Sequence, residues 1–197
     1  MTIEILGALA VFALVTSATP GPNNVMLLAS GANFGFKKTI PHLFGISIGH
    51  AVMITALGSG LLPIFSEYPT IMVVIKVICI AYLIFLAWKI ATTTTEAVEG
   101  KDKGKPLNFF QAALFQWVNP KAWAMALSAI SVYSPSQNFE TILLVAIIFG
   151  LINLPSCSMW IIFGTQLKIV LTNSVRLRSF NVLMAVLLMG SLYPVLW

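Results

Sequence analysis

Residues 3–33 run IEILGALAVFALVTSATPGPNNVMLLASGAN, two apolar stretches separated by Thr19, Pro20, Gly21, Pro22, Asn23 and Asn24. Together they exceed the about 20 apolar residues that carry a helix across a bilayer. The two prolines remove two backbone donors and clash with carbonyls a turn back, and the glycine between them adds freedom, so the helix splits or bends here. Backbone groups freed in a membrane are tolerated only where protein or a wet cavity meets them. The break therefore faces the interior of a bundle. Asn23 and Asn24 can partner those groups, and the half-helix starting there offers exposed N–H groups and a positive dipole end suited to a carboxylate.

The rest of the chain agrees with a membrane solvent. Of its 197 residues 58% are hydrophobic and 9% charged, against about 25% charged in soluble domains. A water-soluble globule is excluded. Six spans need about 120 residues and leave roughly 75 for loops and ends. Apolar windows place spans at 3–33, 39–62, 69–91, 107–133, 140–167 and 179–197. The first run has no basic stretch before it and carries Glu4, so it reads as a span and not a cleavable signal. The expected fold is all-α integral membrane, with six transmembrane helices as two inverted three-helix repeats whose first and fourth helices are broken. One transporter domain, 1–197, comprises repeats 1–91 and 107–197 joined by a polar cytoplasmic linker, 92–106.

Charge sets the expected orientation, because Lys and Arg gather in cytoplasmic loops. Lys37 and Lys38 follow the first span, Lys89, Lys101, Lys103 and Lys105 flank the third, and Lys168, Arg176 and Arg178 flank the fifth. The opposite side carries only Glu4, Glu67 and Glu140. Both termini are expected outside the cytoplasm. This bias accounts for most of the net +5 without any nucleic-acid partner. Tyr82, Trp88, Trp117, Trp123, Trp160, Tyr193 and Trp197 include several near span ends, where amphipathic rings anchor at the interface.

The fourth span has its own interruption at Asn119, Pro120 and Lys121, roughly 20 Å inside the span. Two interrupted segments in equivalent places of two halves point to a transporter binding site near the midplane. A lysine at that depth costs about 2.5–3.5 kcal/mol and needs a partner or water, and no Asp or Glu lies deep in any span. It is neutral, solvated by a cavity, or paired with an anionic substrate. His50, near mid-depth of the second span, is either a hydrogen-bonded structural histidine or, alongside Lys121, a candidate proton carrier. Lys76 lies nearer the outer end of the third span, and Asn153 with Pro155 interrupts the fifth; these are secondary candidates. Gly31 and Gly35, like Gly45 and Gly49, have the spacing that lets helices approach closely and permits a homodimer.

Cys79 and Cys157 are too few for a disulfide scaffold, lack metal-ligand spacing and lie away from both breaks in the chain. No metal site, cofactor motif, acid pair or nucleophile arrangement is present, so an enzyme lacks residues to carry it.

The run from Thr19 to Asn24, Gly35-Phe36-Lys37, the stretch from Ala81 to Lys89, and Asn119-Pro120-Lys121 together resemble the LysE/RhtB family of amino-acid exporters, most closely its cysteine and O-acetylserine branch. The resemblance covers essentially the whole chain. It implies a multi-pass carrier of the bacterial inner membrane that moves amino acids or their derivatives outward, coupled to the proton gradient. Carried over, Pro20, Gly21, Pro22, Asn23 and Asn24 match the family's first-helix motif. Asn119, Pro120 and Lys121 match its fourth-helix motif, and Lys76 a lysine often seen in the third span. The expected partners are an amino acid and the lipid bilayer. The rival readings are a membrane thiol-transfer protein, which needs cysteines beside the breaks, a metal exporter, and a non-transporting regulatory subunit.

Overall fold

The prolines that interrupt the apolar runs become the first residues of new helices. In this computed structural model, which describes residues 1–93, 105–134 and 138–193, helix α1 (Ile3–Ala18) ends before Pro20 and α2 (Pro22–Phe34) starts on Pro22. A residue before proline is pushed out of the helical region, and Thr19 is extended at φ −65°, ψ 145°. Pro22 then occupies the first helical position, where its missing N–H costs nothing. The two helices meet at 57°.

Helix α3 (Phe36–Ala56) continues through a π-type turn (Leu57–Leu61) into α4 (Leu62–Glu67). α5 spans Pro69–Ala91, and α6 (Phe109–Phe115) runs through a 3₁₀ turn (Gln116–Val118) to α7 (Pro120–Tyr133). The long α8 (Phe139–Leu167) and α9 (Ser174–Gly190) complete the chain. Asparagines open four of these helices: the side chains of Asn108, Asn119, Asn138 and Asn173 each accept from a backbone N–H in the first turn, which satisfies an otherwise orphaned donor.

Every described regular element is helical. Among the described residues Phe36–Leu61, Thr70–Ala91 and Phe139–Leu167 are each long and apolar enough to cross a membrane, and α1 with α2 makes a fourth span if counted together. The polarity gradient is that of a membrane protein: Asn24, His42, His50, Gln116, Asn153 and Asn181 are buried, while Val73, Val77, Phe85, Ile147, Leu151 and Phe163 are exposed. A helix apolar on all sides is stable outside water.

α8 is the hub, packing on α1, α2 and α3, while α3 also packs on α6 and α5 on α9. Small residues set these crossings. A Cβ on Gly164 would strike the Leu28 carbonyl, one on Gly31 the Ile161 carbonyl, and those on Gly45 and Gly49 the backbone of α6. The small residues at Gly31, Gly45 and Gly49, whose spacing permits a homodimer, are thus used for crossings within one chain. Gly35 is the exception: nothing crowds it, and its φ of +83° makes the turn between α2 and α3.

Two expectations change, and one connection proves helical. Pro155 does not interrupt the fifth span, because α8 is continuous through it. Hydroxyls beside the proline return to the backbone, with Ser156 Oγ donating to the Ile152 carbonyl at 2.9 Å and Ser158 Oγ to that of Leu154 at 2.7 Å. The sixth helix begins at Ser174, five positions before 179, because Asn173 caps it. The second loop is largely helical, after a kink at Gly60 whose φ of +129° favours glycine. Residues 94–104 of the expected linker, with Lys101 and Lys103, and 194–197 of the last span, with Trp197, lie outside the described residues.

Candidate functional site

At the α1–α2 break, each carbonyl freed by the lost helical bonding finds a donor. Thr16 accepts from Thr19 Oγ1 at 2.9 Å, Ser17 from Asn24 Nδ2 at 2.7 Å, and Ala18 from Trp160 Nε1 at 3.2 Å. The Thr19 carbonyl accepts from Asn24 Nδ2 at 2.7 Å and from Lys121 Nζ at 2.6 Å. Lys121 Nζ also donates to Thr19 Oγ1 at 2.8 Å and to the Pro20 carbonyl at 3.3 Å. Apart from Thr19 itself, the donors come from α2, α7 and α8. A buried backbone group without a partner costs about 1–3 kcal/mol, so this accounting holds the break in place.

Lys121 therefore has partners within the chain. No carboxylate pairs with it among the described residues; backbone oxygens accept from its Nζ. Gly21 makes this approach feasible, since a Cβ there would lie 2.6 Å from Lys121 Cδ. Lys121 is itself placed by the second break, where Asn119 caps α7 and accepts from the Lys121 N–H at 3.1 Å, with Pro120 at the first helical position.

A second link joins the breaks. Asn23 Nδ2 donates to Gln116 Oε1 at 2.8 Å and Gln116 Nε2 returns a bond to Asn23 Oδ1 at 3.2 Å, while also donating to the Ala112 carbonyl at 2.8 Å. The start of α2 carries no side-chain cap, so its first N–H groups stay open to an anion.

These groups surround a cavity of about 20 Å³ lined by Gly21, Asn23, Asn24, His50, Gln116, Asn119, Lys121, Asn153 and Cys157, with Thr16, Ser17, Ala122 and Met125. That is room for about one water. His50 stacks edge-on against Phe149 with ring centroids 5.1 Å apart, and neither ring nitrogen has a hydrogen-bond partner among the described residues. Pro22 is buried beside the site, whereas Pro20 is exposed and contributes its carbonyl.

The structure thus brings together Gly21, Asn23, Asn24, Asn119, Lys121, His50 and Asn153, but not Lys76, which is exposed on α5. Cys157, distant from both breaks along the chain, lies against the first: its Sγ donates to Asn153 Oδ1 at 2.6 Å and lies 3.6 Å from Asn24 Oδ1. The crossing of α8 over α2 causes this. Cys79 is buried in the same apolar cluster as Cys157, but it does not line the cavity and both thiols are free. Trp123 and Trp160 are donors within the bundle, to the Trp117 and Ala18 carbonyls. Gln116, Ser17 and Cys157 went unrecognised in the sequence, although Cys157 follows Asn153 by four residues and so shares its helix face.

An apolar helical bundle whose two interrupted helices converge on a small polar cavity defines a multi-pass membrane carrier. The chain belongs to the LysE-type translocator family, whose model matches residues 14–191, and is a transporter and not an enzyme. It is 29% identical over 190 residues to the cysteine/O-acetylserine efflux proteins of Salmonella paratyphi A and Salmonella typhi, covering 95% of each chain. With the protein of that name from Escherichia coli K12 it shares 28% over 184 residues, 87% of this chain and 93% of the relative. No solved structure matches it.

Proposed function

We propose that the protein exports a small amino acid of the cysteine or O-acetylserine class across the bacterial inner membrane, coupled to the proton gradient. The observation that carries this reading is the seat of Lys121 on the Thr19 and Pro20 carbonyls. A primary ammonium already occupies the oxygens freed by the first break, and the cargo brings an ammonium of the same kind together with a carboxylate. When the carboxylate reaches Lys121 and the open N–H groups of α2, Lys121 turns to it and the cargo's ammonium takes the vacated carbonyls. Pro20, Gly21, Pro22, Asn23, Asn24, Asn119, Pro120 and Lys121 form the binding site. The cavity of about 20 Å³ is its contracted state.

Six spans in two inverted repeats, 1–91 and 107–197, would place this site near the midplane. Part of the packing supports that architecture: α1 against α8 corresponds to α6 against α3, and the α3–α8 and α5–α9 contacts map onto themselves when the halves are exchanged, whereas α2 packs on α8 and α9 far more than α7 does on α3 and α5. Rocking of the repeats around the site supplies alternating access. Both termini then lie outside and the lysine-rich end faces the cytoplasm. His50 and Lys121, the ionisable nitrogens lining the cavity, carry the coupled proton.

Efflux of labelled cysteine and O-acetylserine from proteoliposomes tests the reading. Export that requires the gradient and is lost in Lys121→Ala at matched expression is expected. Export unchanged in that variant removes Lys121 from the machinery, and no export from folded protein overturns the function.

A further inference from the structure

A second cavity, of about 260 Å³, opens at the lysine-rich end between α2, α3 and α5. It is well over ten times the volume of the break-lined cavity and smaller than the about 300–1,000 Å³ of drug-sized pockets. His42 on α3 is buried in its wall, and neither ring nitrogen has a partner among the described residues. Such a group costs stability unless something fills its bonds. Lys89 and Lys105 also line the cavity, and its described lining contains no carboxylate.

The remaining polar groups specify more than an anion. Thr39 Oγ1 gives its single proton to the Gly35 carbonyl at 2.9 Å, so Ser30 Oγ must donate in the 2.9 Å contact between the two hydroxyls. Ser30 is left with lone pairs only. Asn33 spends both amide protons on the Ala29 carbonyl and Asn181 Oδ1, and its own oxygen retains a free lone pair after accepting from Asn181 at 3.2 Å. The wall therefore offers cations and an imidazole on one hand, and acceptors without protons on the other. A sulfate would meet those acceptors with nothing to donate, whereas an amino acid has both a carboxylate and an ammonium.

We propose that this cavity is a second substrate site, a vestibule that captures the amino-acid cargo before it reaches the break-lined site. His42, Lys89 and Lys105 take the carboxylate, and Ser30 and Asn33 take the ammonium. This rests on the export reading above. Asn24 and Ser30 are six residues apart on α2, about 9 Å along the helix, and the buried Met26 and Leu27 lie between them.

The test places a cysteine in the wall, as Thr93→Cys, and compares its rates of modification by anionic and cationic methanethiosulfonates. The ratio is normalised to a small model thiol, with the parent protein as the blank for Cys79 and Cys157. A cleft lined by one sign of charge concentrates the opposite sign by about ten-fold or more, so an anionic preference of that order is expected, falling to near parity in Lys89→Gln/Lys105→Gln. O-acetylserine should slow the modification, in Lys121→Ala as well, and sulfate at equal concentration should not. Absence of the preference, equal protection by sulfate, or protection that vanishes with Lys121→Ala overturns the vestibule. Efflux of O-acetylserine by the parent protein is measured in parallel: its absence defeats the export reading, and its presence without protection defeats the vestibule alone.

Discussion

Gly21 and Lys121 are the pair on which the proposed site turns. Gly21 lies at φ −176°, extended backbone that any residue adopts, so its role is space and not conformation. A methyl group there displaces Lys121 at its Cδ and takes the ammonium off the Thr19 and Pro20 carbonyls. That Cβ stands in the path of the Lys121 side chain, and misplacing a binding group by about 1 Å costs up to about 100-fold, so Gly21→Ala is expected to lower initial efflux rates about ten-fold or more. Adding Gly21→Ala to Lys121→Ala should cost nothing further, since both changes remove one interaction. Additive losses in that double variant would separate the two residues.

At the level of elements, α8 determines where the polar side chains meet. Its inward face carries Asn153 and Cys157, and Gly164 lets it close on α2. An alanine at Gly164 meets backbone that cannot rotate away, whereas nothing lies within 4 Å of a Cβ on Gly7. Overpacking costs about 1–3 kcal/mol, and glycine inside a helix costs about 0.5–1 kcal/mol relative to alanine. Heating the purified protein in detergent should show Gly164→Ala unfolding earlier than the parent, and Gly7→Ala as late or later. Equal behaviour of the two would remove the close crossing as a determinant of stability.

Across the whole molecule the principal packing runs between the halves and not within them: α2 and α3 on α8, α3 on α6, α5 on α9. Residues 1–91 made alone leave Asn23 without Gln116 and the Ser30 to Asn33 segment without Asn181. Neither half should accumulate when expressed singly, and co-expression of the two should restore folded protein, as read by immunoblot and size-exclusion profile. The proposed orientation has a check at the same scale. Ser59→Cys, exposed at the acidic end, should react with an impermeant thiol reagent in intact cells, and Lys37→Cys only after permeabilisation. The reverse pattern would invert the carrier.

The chain by itself determined the solvent, the helices and the breaks, because these depend on local quantities. Apolar run length, the missing N–H of Pro22 and Pro120, and the Asn caps act within a few residues of one another. That Asn23, Asn24 and Lys121 belong to one site was legible for the same reason: a freed carbonyl in a membrane demands a donor. What the tertiary structure alone decided is which donor answers which carbonyl. Trp160 and Cys157 reach the first break only because glycines let α8 cross α2. Lys76, a lysine in a span like Lys121, stays exposed because the start of α5 is left uncovered among the described residues: residues 71–74 and 76–78 are all exposed, and burial begins at Cys79. Such pairings join residues a hundred or more positions apart, and no local pattern records them.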